Sequence, residues 1–157
     1  MRIGIGYDIH ALVSGRPFIL GGIRIPHSKG LSGHSDGDVL FHAIVDALLG
    51  AAGEGDIGEH FPDTDARWKG ANSLLFIKKV REILRRRRFR IVNIDSVLLA
   101  EQPKLGPCKE KIRSSIAKSL GISVSNVGVK AKTTEGFGAI GKKRAVACYA
   151  VASLEEK

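Results

Sequence analysis

The stretch Arg2-Ile3-Gly4-Ile5-Gly6-Tyr7-Asp8-Ile9-His10 alternates without a break: Ile3, Ile5, Tyr7 and Ile9 fall on one side, and Arg2, Gly4, Gly6, Asp8 and His10 on the other. A period of two belongs to a β-strand, whose side chains point to opposite faces in turn. Asp8 and His10 therefore project together, and Gly4 and Gly6 are expected to leave the adjacent surface open. A carboxylate and an imidazole held this way, joined by the distant His42, match the three protein ligands of an open zinc site, with a fourth position left for substrate.

Outward from this strand, residues 17–33 carry short apolar pieces broken by Gly21-Gly22, Pro26, Gly30 and Gly33, which predicts brief strands and loops. His34-Ser35-Asp36-Gly37-Asp38 then leads into an apolar run. Ser35 with Asp38 three residues on resembles a capping box, so a helix of about three to four turns should run from Val39 and end near Gly50 or Gly53. On it, Asp38, His42 and Asp46 share one stripe at i, i+4 and i+8. Apolar residues fill the rest of the helix, which predicts burial nearly all round. A buried polar stripe needs partners. A metal would supply them, with a carboxylate one turn away orienting the imidazole.

Residues 53–70 read as a polar loop whose Ile57, Phe61 and Trp68 argue for order, and a loop of that length is usually functional. A second helix is expected from Asn72 or Ser73 with Phe76, Ile77, Val80, Ile83 and Leu84 as its stripe, then a strand over 89–100. A third helix carries Cys108, Ile112, Ile116 and Leu120 before the stop at Gly121. Val127–Lys132 and Ala145–Leu154 read as the last two strands. The order predicts an α/β (α+β) fold, a four-to-five-stranded mixed sheet with helices packed on one face, in one domain spanning 1–157.

At 157 residues, 43% hydrophobic and 26% charged, the chain can bury a core of its own. No run approaches membrane-spanning length and the start lacks signal-peptide architecture, so a cytoplasmic protein with no membrane partner is expected. Cys108 and Cys148 are the only cysteines and lie far apart, which argues against a thiolate cluster and leaves any metal to His and carboxylate. The net charge of +9 implies anionic partners. Arg85-Arg86-Arg87-Arg88 concentrates much of it, and basic residues at a helix end read as a solvated face suited to the macrodipole. With 6% aromatics, no stacking platform for nucleic acid is visible.

Each candidate has an ordinary counterpart. Asp8, His10 and His42 could be a hydrogen-bonded core cluster. His34-Ser35, at the predicted helix start, could hold a phosphate on free N–H groups, or Ser35 could be a cap only. Lys132-Thr133-Thr134-Glu135 offers a cation, two hydroxyls and a carboxylate that could hold a diphosphate directly and through magnesium, or could be a polar turn. Pro103-Lys104-Leu105-Gly106 could wrap a ligand or only join a strand to a helix.

Read in order, several segments resemble one family, the 2-C-methyl-D-erythritol 2,4-cyclodiphosphate synthases of the non-mevalonate isoprenoid pathway. They are residues 1–10, Leu20-Gly21-Gly22, Gly33-His34-Ser35-Asp36-Gly37-Asp38, Asp56-Ile57-Gly58, Phe61-Pro62-Asp63-Thr64-Asp65, Pro103-Lys104 and Lys130-Ala131-Lys132-Thr133-Thr134-Glu135. The resemblance implies a homotrimer with active sites between subunits and zinc on Asp8, His10 and His42. It also implies a reaction in which the 2-phosphate of 4-diphosphocytidyl-2-C-methyl-D-erythritol 2-phosphate attacks the β-phosphorus and expels CMP. His34 and Thr133 would stabilise the transition state. Asp8, His10, His34, Ser35, Asp56, Ile57, Gly58, Phe61, Pro62, Asp63, Thr64 and Asp65 would meet the methylerythritol phosphate.

From the neighbouring subunit, Ala100, Glu101, Gln102, Pro103, Lys104, Leu105, Gly106 and Lys132, with Thr133 and Thr134, would hold the cytidine diphosphate. Glu135 would carry Mg2+ or Mn2+. Where the family commonly has an aromatic and an Arg, this chain has Ala139 and Lys142. Lys142 keeps the charge without Arg's bidentate fork. Two other readings compete: a zinc-dependent phosphohydrolase, which would release inorganic phosphate, and a basic nucleic-acid-binding module.

Overall fold

The computed structural model describes residues 1–157. The alternating N-terminal stretch forms β1 (Arg2–Ser14), followed by the short strands β2 (Phe18–Leu20), β3 (Ile23–Ile25) and β4 (Lys29–Leu31). Next come α1 (Val39–Ala52), the single turn α2 (Ile57–His60), α3 (Leu74–Arg86), β5 (Phe89–Leu99), α4 (Lys109–Leu120), β6 (Val127–Lys132), the single turn α5 (Gly138–Gly141) and β7 (Ala145–Glu156). Five strands form one mixed sheet in the order β4-β1-β7-β5-β6, in which only β5 and β6 run parallel, and β2 pairs with β3 separately.

The two faces of the sheet have different fates. On one, α1 is buried along its length, with Leu40, Phe41, Ile44 and Leu48 sealed from solvent, and α3 and α4 add Phe76, Ile77, Val80, Ile112 and Ile116 to the same core. On the other, Ile3, Ile5, Tyr7 and Ile9 of β1 and Tyr149 and Val151 of β7 stay between 40% and 69% exposed. Register places Ile5 opposite Val151 and Tyr7 opposite Tyr149, so this is a continuous apolar surface.

Gly4 and Gly6 do not leave open space. A Cβ on Gly4 would come within 2.1 Å of the Ala47 carbonyl oxygen, and one on Gly6 within 2.0 Å of that of Ala43. The glycines let the α1 backbone lie directly on β1, and so the helix that carries His42 meets the strand that carries Asp8 and His10.

Two local expectations fail. Ser35 is not the helix cap: Asp38 is, accepting from the Phe41 N–H at 3.1 Å, and α1 starts at Val39. Asp38 takes the cap position, so the His34-Ser35 pair lies in the loop ahead of the helix. The stripe carboxylates also hydrogen-bond backbone donors and not the His42 imidazole. Asp38 accepts from Gly21 and Gly22 as well, at 3.0 and 2.7 Å, clamping the β2–β3 turn to the helix start, while Asp46 accepts from Ile57 N–H at 2.8 Å.

Candidate metal centre and substrate cavity

Asp8 and His10, two residues apart on β1, turn toward α1, where His42 faces them. Asp8 Oδ2 lies 2.8 Å from His10 Nε2 and 2.9 Å from His42 Nδ1, and the two ring nitrogens are 3.1 Å apart. Asp8 Oδ1 accepts from Ile9 N–H at 2.8 Å, which leaves Oδ2 to the imidazoles. Burial raises the Asp8 carboxyl, but hydrogen bonds and positive charge from His10 and His42 outweigh it and hold the group well below the usual carboxylate range. Three electron-pair donors of the O,N,N type, all within 4.8 Å of one another, can hold a divalent metal ion.

The far nitrogen of His42 is also engaged. Nε2 lies 3.0 Å from Ser35 Oγ and 3.0 Å from Ser73 Oγ, both on buried residues. Ser73 Oγ in turn donates to Asp36 Oδ1. Sequence reading took Ser73 only as a possible helix start and gave Asp36 no role of its own. The only available signal was Asp36 inside a recognisable segment, since 37 residues separate the pair along the chain.

Beside the triad opens a cavity of about 430 Å3 lined by His10, His34, Ser35, His42, Ile57, Gly58, Phe61, Pro62, Asp63, Thr64, Trp68 and Phe76. That size suits a small metabolite. Phe61 stacks on Phe76 with centroids 4.5 Å apart and meets Trp68 edge-on at 5.2 Å, making an aromatic wall that the loop reading foresaw only in part. Asp56 caps α2 through Glu59 N–H, and Asp65 is forked by Arg67, whose hydrogen bonds hold its carboxyl below the usual range. His34 Nε2 lies 3.4 Å from the Asp65 carbonyl oxygen.

The second set of residues forms a separate cluster. Ala100 N–H donates to Lys132 O where β5 and β6 end, and Glu101 Oε1 accepts from Thr134 and Gly136 N–H. These donors, Gly136 first, lower the Glu101 carboxyl. Thr133 Oγ1 donates to Glu135 Oε1 at 2.7 Å. Register puts Leu99 and Ile9 opposite the same β7 residue, Ala147, so this cluster shares a sheet end with the triad, two strands across. None of residues 100–106 or 132–135 lines the cavity, and exposed Ala139 and Lys142 stand outside it too. A larger hollow of about 760 Å3, lined by Lys78, Arg81, Arg85 and Phe89, lies at the opposite end of the sheet and includes no residue of either cluster.

Residues 1–155 match the model of the YgbB family. The chain belongs to the YgbB family. The 2-C-methyl-D-erythritol 2,4-cyclodiphosphate synthase of Pelotomaculum thermopropionicum is 57% identical over 156 residues, covering 99% of this chain and 96% of that protein. Among solved structures, IspF of Plasmodium falciparum in complex with CDP is 37% identical with a TM-score of 0.88, over 99% of this chain and 96% of that one. The bifunctional IspDF of Campylobacter jejuni reaches a TM-score of 0.96 at 42% identity, this chain covering 42% of its length. In this YgbB-family chain Asp8, His10, most of the cavity lining and Lys132 to Glu135 come from the segments that carried the resemblance, while His42, Trp68, Phe76 and Glu101 lie outside them.

Proposed function

We infer that this chain converts 4-diphosphocytidyl-2-C-methyl-D-erythritol 2-phosphate to 2-C-methyl-D-erythritol 2,4-cyclodiphosphate and CMP in the non-mevalonate pathway. One observation carries the reading: the convergence of Asp8, His10 and His42 beside the cavity, in a chain whose relatives bear that enzyme's name. A substrate phosphate oxygen forms a bond to the β-phosphorus, the bridging bond to the α-phosphate breaks, and its electron pair leaves with CMP. Bringing two anionic groups of one molecule together is the main obstacle, so positioning and charge neutralisation supply most of the acceleration.

Asp8 Oδ2, His10 Nε2 and His42 Nδ1 would hold zinc, which when bound supplies Lewis-acid polarisation of a phosphoryl oxygen. His34 and Ser35 face the phosphate end of the cavity. Ile57, Gly58 and the aromatic wall of Phe61 enclose the methylerythritol part and exclude water, with Asp56, Asp63, Thr64 and Asp65 at its rim. His34, with Thr133 from a neighbouring copy, donates to the oxygens on which charge develops. Residues 100–106, Lys132 and Thr134 of that copy bind the cytidine diphosphate, and Glu135 would hold Mg2+ or Mn2+, which screens the diphosphate.

A site divided between two clusters needs a second copy, and the exposed apolar face of Ile3, Ile5, Tyr7, Ile9, Tyr149 and Val151 supports a homotrimer closed about it. Residues 1–157 act as one catalytic domain. No helix is long and apolar enough to cross a membrane, and we assign the enzyme to the cytoplasm.

Product identification tests the reading. The cytidyl substrate should yield CMP and a cyclic diphosphate, and chelator should stop turnover; release of inorganic phosphate would instead make the protein a phosphohydrolase.

A further inference from the structure

We propose that Asp36 and Ser73 form a relay that fixes the tautomer of His42 and strengthens its Nδ1 as a metal ligand. The inference rests on the metal-site reading above and adds two positioning residues to it. Its starting point is the chemistry of the atoms. An ionised carboxylate only accepts hydrogen bonds, so the Ser73 hydroxyl proton must point to Asp36 Oδ1. The lone pairs of Ser73 Oγ then face His42 Nε2 at 3.0 Å, and Nε2 must be the nitrogen that carries the proton. Ser35 Oγ lies at the same distance, accepts the Gly37 N–H at 3.3 Å and stands 3.5 Å from Ser73 Oγ, which can take its proton and leave a Ser35 lone pair for Nε2. With Nε2 committed as a donor, Nδ1 is the nitrogen that faces Asp8 Oδ2 and His10 Nε2; it donates to Asp8 when no metal is bound and gives its lone pair to a metal that takes that proton's place.

Asp36 is held for the task. Its Oδ1 also accepts from Asp38 N–H at 3.2 Å, and its Oδ2 accepts from Ser73 N–H at 3.0 Å. Ser73 is sealed from solvent, so water does not compete for the hydroxyl. A carboxylate reached through one buried hydroxyl pulls the Nε2 proton outward and makes the opposite nitrogen a better electron donor, as partners of metal-bound imidazoles generally do. The same carboxylate joins the loop before α1 to the start of α3, and a purely structural role for it is the rival explanation.

The test uses the full chain, stripped with chelator and titrated with Zn2+ against a competing chromophoric chelator. S73A and D36N should each weaken zinc binding by about 10- to 100-fold. The double variant should bind about as weakly as the weaker single, because the two act in series. S73A keeps both backbone bonds to Asp36, so the helix start stays tied. N72A removes the cap on Leu74 N–H at that helix start without touching His42, and it should lower Tm while leaving zinc affinity unchanged. Nitrogen-15 spectra of the zinc-loaded protein should show the His42 Nε2 proton protected from exchange with water in the wild type and exchanging faster in S73A. Wild-type zinc affinity in both singles, or losses that multiply in the double, would overturn the relay while leaving the metal site standing. Failure of the wild type itself to bind zinc would overturn both.

Discussion

Gly6 offers the sharpest link between packing and chemistry. Replacing it by Ala adds one methyl group whose carbon would stand 2.0 Å from the Ala43 carbonyl oxygen, where 3.4 Å is ordinary contact. Backbone conformation is no obstacle, since Gly6 is absent from the positive-φ glycines. The helix must therefore retreat by up to about 1.4 Å at that point, or β1 must bend away. Overpacking of a closed core by one methyl costs about 1–3 kcal/mol, a fall in Tm of roughly 2–12 °C for a chain of this size.

The retreat has a second effect because Ala43 adjoins His42. The Asp8–His42 contact at 2.9 Å opens by a comparable amount, beyond what a shared metal tolerates. Zinc affinity should fall by at least about tenfold. Gly4→Ala clashes one turn further along, at 2.1 Å from the Ala47 oxygen, and should cost similar stability with a smaller loss of zinc. Calorimetry and chelator competition on the three proteins decide the matter. A Gly6→Ala protein with wild-type Tm and wild-type zinc affinity would refute the claim that direct backbone contact of α1 on β1 sets the triad.

Other outcomes follow from the same structure. His42→Ala should lose bound zinc and turnover together, measured by metal analysis and product formation. Ile5→Glu, which places charge in the open apolar face, should convert the proposed trimer to monomers in sedimentation velocity and abolish turnover, as expected if residues 132–135 serve a neighbouring copy's cavity. Asp38 is fully buried and burial pushes its carboxyl up to about 6, even against three backbone N–H donors. Its raised folded-state pKa makes its contribution to stability complete below about pH 4 and lost as pH rises to about 6. Urea denaturation from pH 4 to 7 should therefore show wild-type stability falling relative to Asp38→Asn across that window; parallel curves would contradict it.

The sequence by itself determined the strand at residues 2–10, the pairing of Asp8 with His10, the three main helices and their apolar stripes, because these depend on period and local spacing. Ordered segments along the chain also carried the family likeness. Tertiary structure alone decided the rest. Gly4 and Gly6 read as open surface until the helix that fills them is placed on the strand. Ser35 read as a cap, yet Asp38 caps α1, and Ser35 turns to His42. Ser73 and Asp36, invisible as partners at a separation of 37 residues, meet because α3 begins beside the loop that precedes α1. Periodicity records which face a side chain occupies; which distant group waits on that face depends on how closely two backbones approach, and no local pattern encodes that distance.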